Sequence, residues 1–335
     1  ILVLCYNRAL AAKLRSVMTT KGLRKEVHVR TFHSWCVDQL RLYGVPMPPD
    51  GPGFFEAAVD SVIASVERGL IPPAQYGAVM IDEAHDFKPE WLKLVTQMVD
   101  PATNSLLVLY DDAQSIYEPA RRRKFSFSSV GIQARGRTTI LKYNYRNTTE
   151  ILGVAYEFAK DYIAPAEADE DGVPLVAPLS AGRRGAAPIL AQLPNLDAEV
   201  IFIARQFAVL NARGLAWRDM AVLYRANFIG ERIAQRLRSE HIPIDWPGDT
   251  NGKRLYDPSE DAVKLLTMHA SKGLEFRVVA IPAMDRMPYG NQNPSEETKL
   301  LYVAMTRAMD RLVMTYGGET EFVSRVRRAR QQIAA

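Results

Sequence analysis

Residues Tyr76 to Phe87, YGAVMIDEAHDF, hold the tightest constraint in the sequence. Val79, Met80 and Ile81 form a short apolar run, and Asp82, Glu83, His85 and Asp86 follow almost at once. A run so bounded reads as a buried strand that releases carboxylates at its tip. In a parallel α/β sheet, ligands bind in the crevice beyond the carboxyl ends of the strands. Asp82 and Glu83 therefore stand where phosphates and a metal could meet them. A hard cation such as Mg²⁺ takes oxygen ligands and is commonly held by one or two carboxylates together with substrate phosphates. Taken alone, the stretch is equally a strand ending in a solvated acidic turn, and the rest of the chain has to decide.

The same strand, polar tip and helix recur throughout. Ile1 to Cys5 reads as a buried strand, and Asn7 to Met18 as a helix with Leu10, Leu14 and Val17 on one face. Val27 to Thr31 is a second strand, followed by Phe32, His33, Ser34 and Trp35 at a helix start that Thr31 or Ser34 could cap. On spacing alone these aromatics are core packing, although a helix start also offers free N–H groups to a phosphate. Tyr43 to Gly53 is loop, Phe54 to Gly69 a helix, and Pro89 to Val99 another. Ser105 to Tyr110 is a strand delivering Asp111, Asp112, Ala113 and Gln114. Arg121 to Lys124 is the densest basic run, followed by alternating Phe125, Ser126, Phe127 and Ser128. That segment is either a solvated basic turn or a ribbon touching a phosphate backbone.

The second half continues the alternation. Strands are expected at Thr138 to Leu141, Ile189 to Leu193, Met220 to Tyr224, Ile242 to Ile244, Val263 to Met268, Val278 to Ile281 and Arg311 to Tyr316. Helices are expected at Thr148 to Tyr162, Leu196 to Arg213, Ile229 to Glu240 and Glu296 to Thr306, with Ala164 to Ala187 a long irregular connection. Such alternation predicts α/β layers in both halves, not a bundle.

Composition sets outer bounds. A chain of 335 residues has room for about two domains, and 47% hydrophobic with 24% charged residues is the balance of a folded globular protein. No apolar run approaches the roughly 20 residues of a bilayer span, so no membrane partner is expected. Cys5 and Cys36 fall in a strand end and a helix without metal-ligand neighbours, which points to a reducing, cytoplasmic setting. The net charge of +4 is too small to argue for nucleic acid by itself. The chain starts Ile-Leu-Val-Leu, in what reads as the middle of a sheet, so a fragment of a longer protein is expected.

The order of the tips resembles that of the UvrD/Rep family of superfamily 1 DNA helicases over nearly the whole chain. Asn7-Arg8-Ala9 is similar to motif Ia, Thr31-Phe32-His33-Ser34 to the TxH-type single-strand contact, and Asp82-Glu83-Ala84-His85 to Walker B. Asp111-Asp112-Ala113-Gln114-Ser115-Ile116-Tyr117 resembles motif III, and Asn144-Tyr145-Arg146 motif IV. His269-Ala270-Ser271-Lys272-Gly273-Leu274-Glu275-Phe276 resembles motif V, and Leu301 to Ala308 motif VI. Any one of these is weak; all of them in the family's order leave little room for coincidence.

The resemblance implies an α/β fold of two RecA-like lobes with mainly parallel sheets. Residues 1–137 would be a first lobe truncated at its N-terminus, with a small helical insertion near 40–75. Residues 138–335 would be a second lobe whose large inserted subdomain is absent or vestigial. It implies ATP and Mg²⁺ as cofactors and single-stranded DNA as partner, with RNA an alternative, since no 2′-OH contact is readable in the sequence. Asp82 would hold Mg²⁺, Glu83 would orient the attacking water, and His85, where the family usually carries Gln, would lie near the γ-phosphate. Gln114 would sense that phosphate, and Arg146 and Arg307 would serve as arginine fingers. Tyr145 would stack on adenine and Glu275 approach the ribose. Asn7, Arg8, Thr31, Phe32 and His33 in the first lobe, and His269, Ser271 and Lys272 in the second, would contact the single strand without reading its sequence. The expected function is the motor core of an ATP-dependent 3′–5′ translocase or helicase. The competing expectation is a nucleic-acid-binding or regulatory module with a degenerate ATP site.

One departure from the family pattern is large. The phosphate-cradling G-x-x-x-x-G-K-S/T loop occurs nowhere in these residues. The expectation is therefore a parent that carries the loop upstream, and a fragment that hydrolyses ATP poorly.

Overall fold

The computed structural model describes residues 1–111, 126–162, 177–248 and 256–334. Gln114, with the rest of the motif III tip from Asp112 onward, and the basic run Arg121 to Lys124 lie outside the described residues. The chain divides into two compact units, the first ending at Thr138.

In the first unit, β1 (Leu2–Cys5), β2 (His28–Thr31), β3 (Val79–Ile81) and β4 (Leu106–Val108) form a parallel sheet in the order β2-β1-β3-β4. Helices α1 (Arg8–Thr20), α2 (Phe32–Leu42), α3 (Phe54–Glu67) and α4 (Pro89–Gln97) connect and cover it. Side chains alternate across a sheet, and the register sets Leu2, Leu4, Val79 and Ile81 on one face. That face packs on Phe32, Trp35 and Leu40 of α2, Val59 and Val62 of α3, and Leu92 and Val95 of α4. The opposite face carries Val3, Cys5 and Val29 against Leu10 and Ala11 of α1. Farther along it, Met80, Leu107 and Leu109 remain 39%, 48% and 46% exposed. Because every strand runs the same way, the tips after Cys5, Thr31, Ile81 and Val108 emerge along one rim.

In the second unit, the short β5 (Tyr143–Asn144) and β6 (Leu179–Ser180) pair in parallel beside α5 (Thr149–Ala159). The main sheet is built from β7 (Ile189–Gln192), β8 (Met220–Tyr224), β9 (Ile244–Asp245), β10 (Val263–Thr267), β11 (Phe276–Ile281) and β12 (Ala308–Tyr316). Its order is β7-β12-β11-β8-β10-β9, every pair parallel. Helices α6 (Leu196–Ala212), α7 (Asn227–Ser239), α8 (Pro294–Met305) and α9 (Glu321–Ala334) complete the unit. The central strands are buried on both faces, with Met220 to Leu223 at 0% exposure. This explains their continuous apolar runs, without alternation.

One strand expected from sequence is displaced. Thr138 to Leu141 forms no strand; pairing begins two residues later, Tyr143 opposite Leu179, and Leu141 is 84% exposed. The apolar content of that stretch predicted a strand, but the pairing partner sets where the ladder begins.

Candidate functional site

At the tip of β3 the Asp82 N–H still donates to Leu4 O at 2.8 Å, so the ladder runs one residue past the strand. The Asp82 Oδ1 then accepts from the Glu83 N–H at 2.9 Å. Glu83 has φ 55° and ψ 44°, the left-handed region that residues with a Cβ seldom enter. Such outliers concentrate where the surrounding structure uses them. Here the turn sends the chain into a single 3₁₀ turn, Ala84–Asp86, that brings the His85 ring back beneath the Glu83 carboxylate.

The His85 side chain is fully buried. Its Nδ1 accepts from the Asp111 N–H at 3.3 Å, and its Nε2 lies 3.3 Å from Glu83 Oε2 and 3.8 Å from Asp86 Oδ1. A neutral imidazole accepting at Nδ1 carries its proton on Nε2, which here faces the Glu83 carboxylate. His85 thus ties the tips of β3 and β4 together through the Asp111 N–H, with its Nε2 beside the carboxylate expected to act on water. Burial first, and then the charge of Asp82, push the thiol of neighbouring Cys5 up to about 12, so Cys5 stays a protonated core group.

Two tips farther along the same rim present the expected nucleic-acid contacts of the first unit. Asn7 caps α1, its Oδ1 accepting from Ala9 N at 2.7 Å and Leu10 N at 3.3 Å, and Arg8 beside it is exposed. Thr31 caps α2 through Ser34 N at 3.3 Å. His33 is half-buried among Tyr6, Phe55 and Trp91, with ring centroids 5.8, 5.7 and 5.0 Å away, and burial lowers its pKa. Phe32 is a correction. It has no exposed surface and stacks on Trp91 at 4.8 Å inside the core, so its ring does not reach a nucleic acid.

In the second unit Tyr145 is 77% exposed, with its ring free to take a flat partner on one face and Tyr143 at 6.4 Å beside it. Next to it, Arg146 Nε donates to Glu275 Oε2 at 2.8 Å, with both side chains about a third exposed. The sequence reading missed the residue that holds this loop. Asn147, fully buried, donates from Nδ2 to Thr306 O at 2.9 Å and Ala308 O at 2.6 Å, so it welds the Tyr145–Arg146 turn to the end of α8. An Asn directly after the Asn-Tyr-Arg tip was the available signal.

Arg307 is the second correction. It is 1% exposed, and its guanidinium donates to Val303 O at 3.0 Å, Leu274 O at 3.2 Å and Thr306 Oγ1 at 3.4 Å. Those bonds fix the helix end to the loop before β11, and a guanidinium so enclosed is not a finger for a phosphoryl group. The β10 tip gives a third. His269 to Gly273 winds as one tight turn, in which Ser271 is fully buried and donates to Met268 O at 2.7 Å, while Lys272 is 3% exposed. A single turn points its residues in every direction, so two of this polar series face inward. His269 remains half-buried, its pKa pushed down to about 4 by burial and then by the Arg225 charge, against an opposing pull from Glu297.

Arg225 and Glu297 form a close ion pair at this end of the unit, again unseen in sequence. Arg225 Nε lies 2.9 and 3.0 Å from the two Glu297 oxygens and Nη2 2.8 Å from Oε1, with the Glu297 side chain 3% exposed. A bidentate, nearly dry pair holds its geometry well.

Among the described residues no group of three His, Cys, Asp or Glu side chains is arranged to hold a metal ion. A carboxylate pair at a strand tip is nonetheless the donor set that suits Mg²⁺ when phosphates supply the remaining oxygens. Asp82 and Glu83 fit that requirement, and the open face of Tyr145 fits an aromatic base.

The UvrD-like helicase C-terminal domain matches residues 139–257 and 250–319. Among sequence relatives, the mitochondrial ATP-dependent DNA helicase HMI1 of Saccharomyces cerevisiae is 28% identical over 197 residues, covering 55% of this chain and 27% of that protein. DNA helicase II of Escherichia coli is 40% identical over 72 residues, 19% of this chain and 10% of that protein. A probable DNA helicase of Mycoplasma pneumoniae is 27% identical over 247 residues, 69% of this chain and 41% of that protein. The chain thus spans less than half the length of each of these relatives.

Proposed function

The chain belongs to the UvrD-like helicases, whose C-terminal domain covers more than half of it, and from that premise we propose that it is the motor core of an ATP-dependent translocase or helicase moving 3′ to 5′ on single-stranded DNA. The observation that carries the proposal is the β3 tip, where Asp82 and Glu83 leave a parallel sheet at its carboxyl rim, with His85 Nε2 3.3 Å from the Glu83 carboxylate. The two units, about 1–137 and 138–335, act as RecA-like lobes, with α3 as the small insertion of the first.

Asp82 holds the Mg²⁺ that accompanies the nucleotide. Bound there, the cation offsets charge on the phosphate oxygens. Glu83 accepts a proton from the attacking water and orients it, with the buried His85 ring packed beside its carboxylate. Tyr145 stacks on the adenine through its exposed face. Arg146 is the finger: its planar fork of donors suits the charge spread over a transferring phosphoryl group. Glu275 holds Arg146 in place when no nucleotide competes for it, and approaches the ribose when one does. On the DNA side, Arg8, Thr31 and His33 of the first unit and His269 of the second bind the backbone, without sequence preference.

The test is ATP hydrolysis by the full-length protein with and without oligo(dT). Stimulation by the single strand that disappears in Asp82→Asn is the expected result. Hydrolysis equally fast in Asp82→Asn and the unsubstituted protein would overturn the assignment. Tight single-strand binding with no hydrolysis at all by the unsubstituted full-length protein would replace it with a binding module. The 335 residues alone, which contain no G-x-x-x-x-G-K-S/T loop, are expected to hydrolyse ATP poorly.

A further inference from the structure

The first sheet carries its expected ligand groups at the strand tips, and a separate cleft opens toward the opposite end of the same unit. It lies between the C-terminal half of α1 and β2, the edge strand of the sheet, and encloses about 190 Å³. Four basic side chains line it: Arg15 from α1, Arg24 from the turn that follows, and His28 and Arg30 from β2. No Asp or Glu is among its lining residues. In a chain whose net charge is only +4, three guanidiniums around one cleft are a local excess.

The backbone that presents them is well fixed. Helix α1 ends in a Schellman turn, in which the Leu23 N–H donates to Met18 O at 2.9 Å and the Gly22 N–H to Thr19 O at 3.0 Å, with Gly22 at φ 72°. The Val27 N–H then donates to Leu23 O at 3.0 Å and the His28 N–H to Ile1 O at 2.9 Å, so the turn carrying Arg24 is pinned at both ends. Met18 and Val27 pack against the cluster of Val29, which is 2% exposed, and give the cleft an apolar floor. Arg15, Arg24 and His28 are exposed, and their side chains have no ion-pair partner among the described residues. Arg30 gives Nε to Asp38 Oδ2 at 2.9 Å and Nη1 to Val29 O at 3.2 Å, which fixes the plane of its guanidinium and leaves Nη2 without a protein partner.

Charge on an edge strand commonly blocks pairing with a stray strand, and cations in the last turn of a helix offset its terminal carbonyls. Neither role covers this set, since Arg15 and Arg24 are not on the strand and the last turn of α1 holds no basic residue.

We propose that the cleft binds a small anion carrying two adjacent phosphoryl groups, either free pyrophosphate or the diphosphate of a nucleotide. Guanidinium forks match phosphate oxygens in geometry and are weakly hydrated, and the apolar floor offers them no competing acceptor. The cleft is smaller than the roughly 300 Å³ at which pockets for drug-sized ligands begin. It therefore encloses a compact anion, or the phosphate end of a nucleotide whose remainder stays in solvent. An anion held by Arg15 and Arg30 ties together two elements whose other ends are the rim residues Asn7 and Thr31. The site does not depend on the motor reading.

Isothermal titration of the 335-residue chain with inorganic pyrophosphate, in EDTA and at constant ionic strength, tests the proposal. One saturable site is expected, and Arg15→Gln with Arg24→Gln should weaken it about tenfold or more for each arginine removed. Both side chains are exposed, so the double variant should keep its fold, which a melting curve checks. A chain that takes up no pyrophosphate overturns the proposal, as does a double variant that binds like the unsubstituted chain. Sulfate bound as tightly as pyrophosphate also overturns it, because a single tetrahedral anion would then satisfy the cleft. Titration with ADP separates the two sources. Binding tighter than that of pyrophosphate, and lost in the double variant, assigns a nucleoside diphosphate; binding no tighter assigns the free anion, and either result supports the site.

Discussion

Nε of Arg146 donates to Oε2 of Glu275 at 2.8 Å across 129 residues of chain. A pair this exposed contributes about 0–1 kcal/mol, so its worth lies in where it keeps the guanidinium. Glu275→Ala is expected to change thermal stability little. Arg146→Ala should lower single-strand-stimulated ATP hydrolysis by the full-length protein on the order of a thousandfold, and Arg146→Lys should not rescue it, since an ammonium lacks the fork. Melting curves of Glu275→Ala and steady-state hydrolysis by the two Arg146 variants check this; a large loss of stability in the first, or hydrolysis by Arg146→Lys near the unsubstituted rate, would contradict it.

His269 sets a pH dependence whose sign follows from its environment. In the folded chain its pKa is held near 4, by burial first, then by Arg225 and Lys272, with Glu297 opposing; the unperturbed value is 6.5. Between those values the unfolded chain binds more protons than the folded one, so stability rises as pH rises from about 4 to about 6.5 and is then flat. His33 is shifted in the same direction and adds to the slope. Melting temperature measured across pH 4–6.5 should rise more steeply for the unsubstituted chain than for His269→Gln. Parallel curves would refute the burial of a neutral ring.

Lys264 and Asp245, 1% and 0% exposed, meet at 3.1 Å where β9 starts alongside β10, and Lys264 Nζ also donates to Glu260 O at 2.9 Å and to Asp257 O. Lys264→Ala takes the ammonium away from a dry carboxylate that keeps the Asp257 N–H at 3.1 Å, and should cost about 3–5 kcal/mol. Replacing both, as Lys264→Met with Asp245→Leu, should recover most of that loss. Urea unfolding of the two variants distinguishes them; a single variant no less stable than the double would show that the charge was not the cost.

The parallel sheets and their polar tips were legible because a strand buried on both faces reads as a continuous apolar run, as Met220 to Tyr224 does, and Val79 to Ile81 is as apolar although Met80 is 39% exposed. Side-chain direction at the tips was not. Phe32 and His33 are neighbours in one motif, yet one is core and the other half-buried at the rim. Ser271 and Lys272 belong to a turn too short to show a face. Arg307 lies at the junction of α8 and β12, where three oxygens of the second unit already take its donors. The pairs that stiffen the second unit, Arg225 with Glu297 and Asn147 with Thr306 and Ala308, join residues that are remote in sequence, and no local pattern announces them.

The central claim is that Glu83, beside His85 at the tip of β3, activates water in a motor that unwinds DNA. Strand displacement by the full-length protein on duplexes with a 3′ or a 5′ single-stranded tail tests it most directly. The account predicts unwinding from the 3′ tail only, abolished in Glu83→Gln while oligo(dT) binding is retained. Undiminished unwinding by Glu83→Gln would contradict it.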